Sequence, residues 1–160
     1  MRCSLFFILI ALAGCSHKTP VADLYNAEAS TPAGLAFNPL EWKVINSSIN
    51  TRYHTMSTLY GNDSAVQCAR SKSLPVYPAA AVLVLVTWQQ KEDPHWYGAR
   101  LPGAVISVER VSFNHSGSNA LKPFYEKYEG TPLQKTMVNN PDSMVRRINV
   151  ITSERASVMP

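Results

Sequence analysis

One stretch, Ala79–Gln89 (AAAVLVLVTWQ), constrains the fold more than any other. Side chains alternate across a strand, so Val82, Val84, Val86 and Trp88 share one face and Leu83, Leu85 and Thr87 the other. Both faces are greasy. A strand of that kind belongs in the middle of a sheet, with cover on each side. The remaining segments must therefore supply neighbouring strands and two covering layers.

Glu41–Ser48 (EWKVINSS) and the Thr- and Tyr-rich Thr51–Tyr60 read as strands. Gly61-Asn62-Asp63 breaks the second and supplies a helix cap. Ser64–Ser71 (SAVQCARS) follows with Ala65, Val66 and Ala69 at helical spacing, and Leu74-Pro75 ends it. Beyond the loop Gln90–Gly103, Ala104–Phe113 reads as a strand. One face of it carries Ile106 and Val108; the other carries Val105, Val111 and Phe113 with Ser107 and Glu109. Pro123–Tyr128 reads as a short helix and Met144–Ser153 as a last strand. The expectation is an α+β domain, mainly antiparallel β-sheet with one or two short packed helices. The element spacing does not fit a regular βαβ alternation.

The N-terminus carries a different signal. Met1-Arg2 is followed by an apolar run from Leu5 to Ala13, too short to span a bilayer, which takes about 20 apolar residues. It has the length of a secretory signal core. Leu12-Ala13-Gly14-Cys15 closes it with small residues before a thiol. That pattern resembles the lipobox of bacterial lipoproteins, in which the cysteine is acylated and becomes the first mature residue. Two or more acyl chains make a stable anchor, at about 0.8 kcal/mol per buried CH₂. The resemblance implies palmitate-type acylation, a cell-envelope location and the lipid bilayer as partner. Ser16, being other than Asp, points to the outer membrane with the domain facing the periplasm. Residues 1–14 then form a signal peptide, and 15–38, rich in small and polar residues, form a flexible tether. Asp23–Ala29 has room for one or two helical turns. Residues 39–160 form the domain.

Cysteine usage narrows the chemistry. Cys3 leaves with the signal and Cys15 is taken by lipid, so Cys68 remains alone and forms no intramolecular disulfide. It reads as a small buried filler of its helix. No Cys-x-x-Cys-His is present. The net charge of +4 is small and, apart from Arg146-Arg147, unclustered, which argues against nucleic acid as a partner.

Several segments line up in order: Glu41-Trp42-Lys43-Val44-Ile45, Leu59-Tyr60-Gly61-Asn62-Asp63-x-Ala65, Tyr77-Pro78-x-x-Ala81-x-Leu83, Val86-Thr87-Trp88, Pro102-Gly103 and Ala156–Pro160. Over residues 38–160 this resembles the cytochrome P460 domain family. The resemblance implies a periplasmic, mainly antiparallel sheet. In haem-bearing relatives it also implies a c-type haem held by Cys-x-x-Cys-His and cross-linked to a lysine, acting on hydroxylamine or binding nitric oxide. This chain departs where that chemistry resides: Thr131–Pro160 contains neither Cys nor His, and Val84 and Leu85 stand where relatives often carry a lysine.

Four histidines remain to be weighed: His17 in the tether, His54 on a strand, His95 in the long loop and His115 in a turn. None pairs at metal-ligand spacing, and no metal site is expected. No Ser-His-Asp or Cys-His grouping is legible, and no carboxylate pair is spaced for acid–base work. The richest set is Asp93–Arg100, which with Trp88 gathers His95, Trp96, Tyr97 and Arg100 into a candidate small-ligand pocket. The competing reading is that Trp96 and Tyr97 merely cap one end of the sheet while Asp93 and Arg100 pin the loop, and that Trp42 and Trp88 are core aromatics of the sheet. The sequence thus supports a membrane-anchored module that binds a small molecule or an envelope protein, without covalent haem and without catalysis. The alternative is an oxidoreductase or gas-binding protein of cytochrome P460 type, holding haem non-covalently through His54 or His95.

Overall fold

The computed structural model describes residues 25–30, 35–71, 76–116 and 120–157. Six antiparallel strands lie side by side in chain order: β1 (Lys43–Asn50), β2 (Thr55–Gly61), β3 (Val82–Glu92), β4 (Arg100–Ser116), β5 (Ala120–Glu129) and β6 (Gln134–Thr136). Helix α1 (Asp63–Ala69) joins β2 to β3, and α2 (Pro141–Ser153) follows β6. The fold is α+β, as the alternation of apolar residues implied.

β3 lies between β2 and β4. Leu83 and Val84 are both fully buried, on opposite faces. Each such side chain stabilises the fold by about 1.5–3 kcal/mol. On the Leu83 face, Ile45, Leu59, Val111 and Phe113 meet Ala65, Val66 and Ala69 of α1 and Ile148 and Ile151 of α2. On the Val84 face, Val86, Trp88, Val105, Val108 and Leu133 form a second core.

The cover of that second face comes from within the stretch read as tether. Ala29, Leu35 and Phe37 pack on it, together with Trp42. Trp88 Nε1 donates to the Ala29 carbonyl at 2.8 Å. A single 3-10 turn, Ala27–Ala29, sits beside β4, where Asn26 Nδ2 donates to the Pro102 carbonyl at 2.7 Å. The described chain thus runs from the β3–β4 hairpin end, along this face, to the start of β1 at the opposite end. Small and polar residues read as a tether, but a sheet with two greasy faces needs this layer.

Two elements differ in type from expectation. Pro123–Tyr128, read as a helix, is part of β5. Val111 pairs with Tyr125 and Phe113 with Pro123. Pro123 is tolerated because β6 pairs only with Lys127–Glu129, which leaves the outer side of β5 open at the proline. Met144–Ser153, read as a strand from its Val and Ile content, is the body of α2. Asn140 caps it, its side chain accepting from Ser143 N at 3.1 Å, and Pro141 occupies the first turn. Met144, Ile148 and Ile151 then recur at helical spacing on the side that meets the sheet.

Local chemistry joins the elements. Asn62 Oδ1 accepts from Ala65 N at 3.1 Å and from Val82 N at 3.2 Å, and its Nδ2 donates to the Ala80 carbonyl at 2.7 Å. One side chain thereby caps α1 and fixes the start of β3. Gly61 lets β1 and α1 close together, since a Cβ there would lie 2.6 Å from Ile45 Cδ1. The C-terminal strap ties the edge strand: Ser157 N donates to the Ile45 carbonyl at 2.8 Å, and Asn46 Nδ2 to Glu154 Oε2 at 2.6 Å.

Candidate functional site

Turn chemistry builds the tip of the β3–β4 hairpin. Asp93 Oδ1 accepts from the backbone N–H of His95 at 2.8 Å and of Trp96 at 3.3 Å, a local turn that Asp favours. Gly98 then reverses the chain with a left-handed φ of +79°, where a side chain would be strained. The Glu92↔Arg100 pair closes the ladder, with Arg100 Nη1 2.7 Å from Glu92 Oε1. That pair is well exposed, so it contributes little to stability. Trp96 is 72 % exposed and Tyr97 is fully in solvent. His95 projects outward as well, 3.6 Å from Asp93.

Of the expected pocket residues, the structure brings His95, Trp96, Tyr97 and Arg100 onto one tip. Trp88 stands apart. It is 5 % exposed within the second core, and its indole N–H is taken by Ala29. His54 occupies the β1–β2 turn with a left-handed φ of 51°, and its carbonyl accepts from Gln90 N at 2.8 Å. That places it at the same end of the sheet as His95. Cys15 and His17 lie outside the described residues. The backbone of His115 pairs with Leu121 at the far end.

Two charged constellations escaped sequence reasoning. Glu109 is buried under α2, where Arg147 grips it through Nη2 at 2.6 Å and Nε at 2.8 Å, and Tyr125 donates to Oε2 at 2.5 Å. Burial first, then the bond to Glu109, pushes the Tyr125 phenol well above its ordinary value. The hydrogen bond to Glu109 also raises Arg147. Both oxygens of the carboxylate are occupied, and the bonds from Arg147 dock α2 on the sheet. Its signal was present: a Glu among Val111 and Phe113 on a core-facing strand needs a cation, and Arg146-Arg147 is the chain's one Lys/Arg doublet.

The second constellation lies on the opposite face. Glu126 accepts from Arg110 at 3.0 Å and Lys135 at 2.7 Å. Burial works to raise this carboxyl, but the Lys135 hydrogen bond and the charges of Lys135 and Arg110 outweigh it and hold the group below its ordinary range. The Arg110 guanidinium lies 5.2 Å over the Phe37 ring, which itself stacks on Trp42. Among the described residues, no three His, Cys, Asp or Glu side chains are grouped to hold a metal ion.

A sequence profile of the cytochrome P460 family matches residues 40–121, from just before β1 to the start of β5. The chain belongs to the cytochrome P460 family. No curated protein matches it. The family name implies haem, and the His and Cys side chains that the structure describes do not fit that group. Covalent attachment needs Cys-x-x-Cys-His, and no Cys or His follows His115. An axial histidine needs an imidazole directed into an apolar slot. The His54 and His95 side chains are instead exposed on hairpin turns. Cys68 donates its thiol to the Val76 carbonyl at 3.2 Å, and burial pushes that thiol up, away from the ligating thiolate.

Proposed function

We propose that this cytochrome P460-family domain is a lipid-anchored envelope protein that works by binding, without covalent haem and without catalysis. Acylation at Cys15 anchors it, and Ser16 directs it to the outer membrane with the domain facing the periplasm. The observation that carries the reading is a mismatch between family and donors: the chain belongs to the family, yet it has no Cys-x-x-Cys-His, and the His54 and His95 side chains stand in water. Function resides in the site rather than in the fold. The binding surface contracts from the expected set to the hairpin tip of His95, Trp96, Tyr97 and Arg100, since Trp88 is committed to the core.

The test is intact-mass measurement and absorbance on natively processed protein from haem-supplied cells. The expected result is a chain beginning at an acylated Cys15 and no Soret band. An unmodified Cys15 would overturn the anchor. A stoichiometric Soret band would overturn the haem-free reading and favour non-covalent haem on His54 or His95.

A further inference from the structure

Five aromatic side chains among the described residues stand exposed: Tyr25, Tyr53, Trp96, Tyr97 and Phe124. Four of them gather at one end of the sheet. Trp96 and Tyr97 form the β3–β4 tip. Tyr53 lies in the β1–β2 turn, which is bonded to β3 through His54 and Gln90. Tyr25 precedes Asn26, which is bonded to Pro102 at the base of β4. Phe124 alone lies toward the far end, opposite Ser112.

The same end is where the chain joins the sheet. Asn26 and Glu28 are held there by Pro102 and Lys91. Nine residues lie between Cys15 and Tyr25, ten chain steps in all. Fully extended, they span at most about 35 Å. From Pro102 to Ser116, β4 runs a further ~45 Å toward the opposite end. With Cys15 in a bilayer, the tether is too short for the β4–β5 end to face the lipid. The aromatic end is the one within reach.

Charge does not explain a contact at this end. Arg52, Lys91 and Arg100 are balanced by Glu28, Glu92 and Asp93, and in the tether Lys18 is balanced by Asp23. Trp and Tyr are the side chains that settle at the headgroup level of a bilayer, where an apolar ring and a polar edge are both satisfied. We infer that the hairpin tip of Trp96 and Tyr97, flanked by Tyr53 and Tyr25, rests in the headgroup region of the phospholipid bilayer that holds the Cys15 anchor. The inference deepens the reading above and rests on its lipid anchor. It makes the bilayer the partner of the tip and fixes the sheet upright, its far end directed away from the membrane.

The test uses the natively acylated full chain in phosphatidylcholine vesicles, with and without lipids brominated near the headgroup end of the acyl chain. Trp42, Trp88 and Trp96 are the three reporters. Bromolipid is expected to remove the Trp96 share of the emission. Trp96→Ala is expected to abolish that quenching while the protein stays on the vesicles, and high salt to leave it unchanged. Trp96 is exposed, so the variant keeps its core. Acylated, vesicle-bound protein whose emission ignores bromolipid would overturn the inference and leave the anchor standing. Quenching that persists in Trp96→Ala would overturn it too, because the lipid would then face Trp42 or Trp88. Protein without an acyl group at Cys15 would bring down the anchor, and the inference with it.

Discussion

Replacing Tyr77 by Phe should make this protein more stable. The ring is 3 % exposed and stacks on Phe113 at a centroid distance of 5.3 Å. Its hydroxyl is buried with no hydrogen-bond partner. A buried hydroxyl without a partner costs about 1–3 kcal/mol. Phe keeps the stacking and removes that cost, at the expense of a void smaller than a methyl group. The expected net gain is about 1 kcal/mol. At about 2.1 cal/mol/K per residue, the described residues give an unfolding entropy near 0.26 kcal/mol/K, so Tm should rise by about 4 °C. Urea unfolding should show a higher midpoint at unchanged slope. An alkaline series supplies a second signature. Burial first, then the charges of Cys68 and Glu154, pushes the Tyr77 phenol from 10.0 up to about 12. A folded-state value above the unfolded one gives a stability contribution that is full below pH 10.0 and lost as pH rises through about 12. Wild type should lose that share and Tyr77→Phe should not. A variant destabilised by 1 kcal/mol or more would refute the reasoning, because the hydroxyl would then have a partner.

Two further outcomes follow from the charged constellations. Arg147→Met should cost about 2 kcal/mol in urea unfolding, less than for a fully buried pair because Arg147 is 40 % exposed. Glu109→Gln added to it should recover most of the loss, since the stranded charge is gone while Tyr125 keeps an acceptor. Glu126 is held below its ordinary value of 4.5, so its contribution is full above that pH and lost as pH falls through its lower folded value. The stability gap between wild type and Glu126→Gln should therefore shrink on acidification below 4.5, as read from urea midpoints.

The sequence was most legible where one residue type had one use. β3 announced itself by two apolar faces, and α1 by the Asn62 cap and the Ala65, Val66, Ala69 spacing. Reading failed where local propensity and position disagreed. Val145, Ile148, Val150 and Ile151 favour strands by composition, yet Asn140-Pro141-Asp142 starts a helix, and only their spacing showed which signal prevails. Pro123–Tyr128 (PFYEKY) has no clean alternation of apolar and polar residues, so only its pairing with β4 shows the strand. At the tip, His95, Trp96, Tyr97 and Arg100 are neighbours in sequence and therefore neighbours in space. Trp88 admits two readings, pocket lining and core aromatic. Strand alternation had already placed it on the face of Val84 and Val86, where Ala29 meets it.

Consecutive strands that pair only with their neighbours also set an order of assembly. Each hairpin of the meander can form as soon as its second strand is available, so a chain emerging N-terminus first can build the sheet progressively from β1 to β6 without waiting for distant segments. One closure cannot be made early. The bonds of Ser157 and Glu154 to Ile45 and Asn46 join segments more than 100 positions apart. Until α2 and the strap dock, the Leu83 face has only α1 over it and the β1 edge lacks its bonds at Ile45 and Asn46, and an unpaired edge invites the strand of another molecule. Residues 141–157 act as the latch of the fold, and the interval before they close is its period of greatest exposure to aggregation.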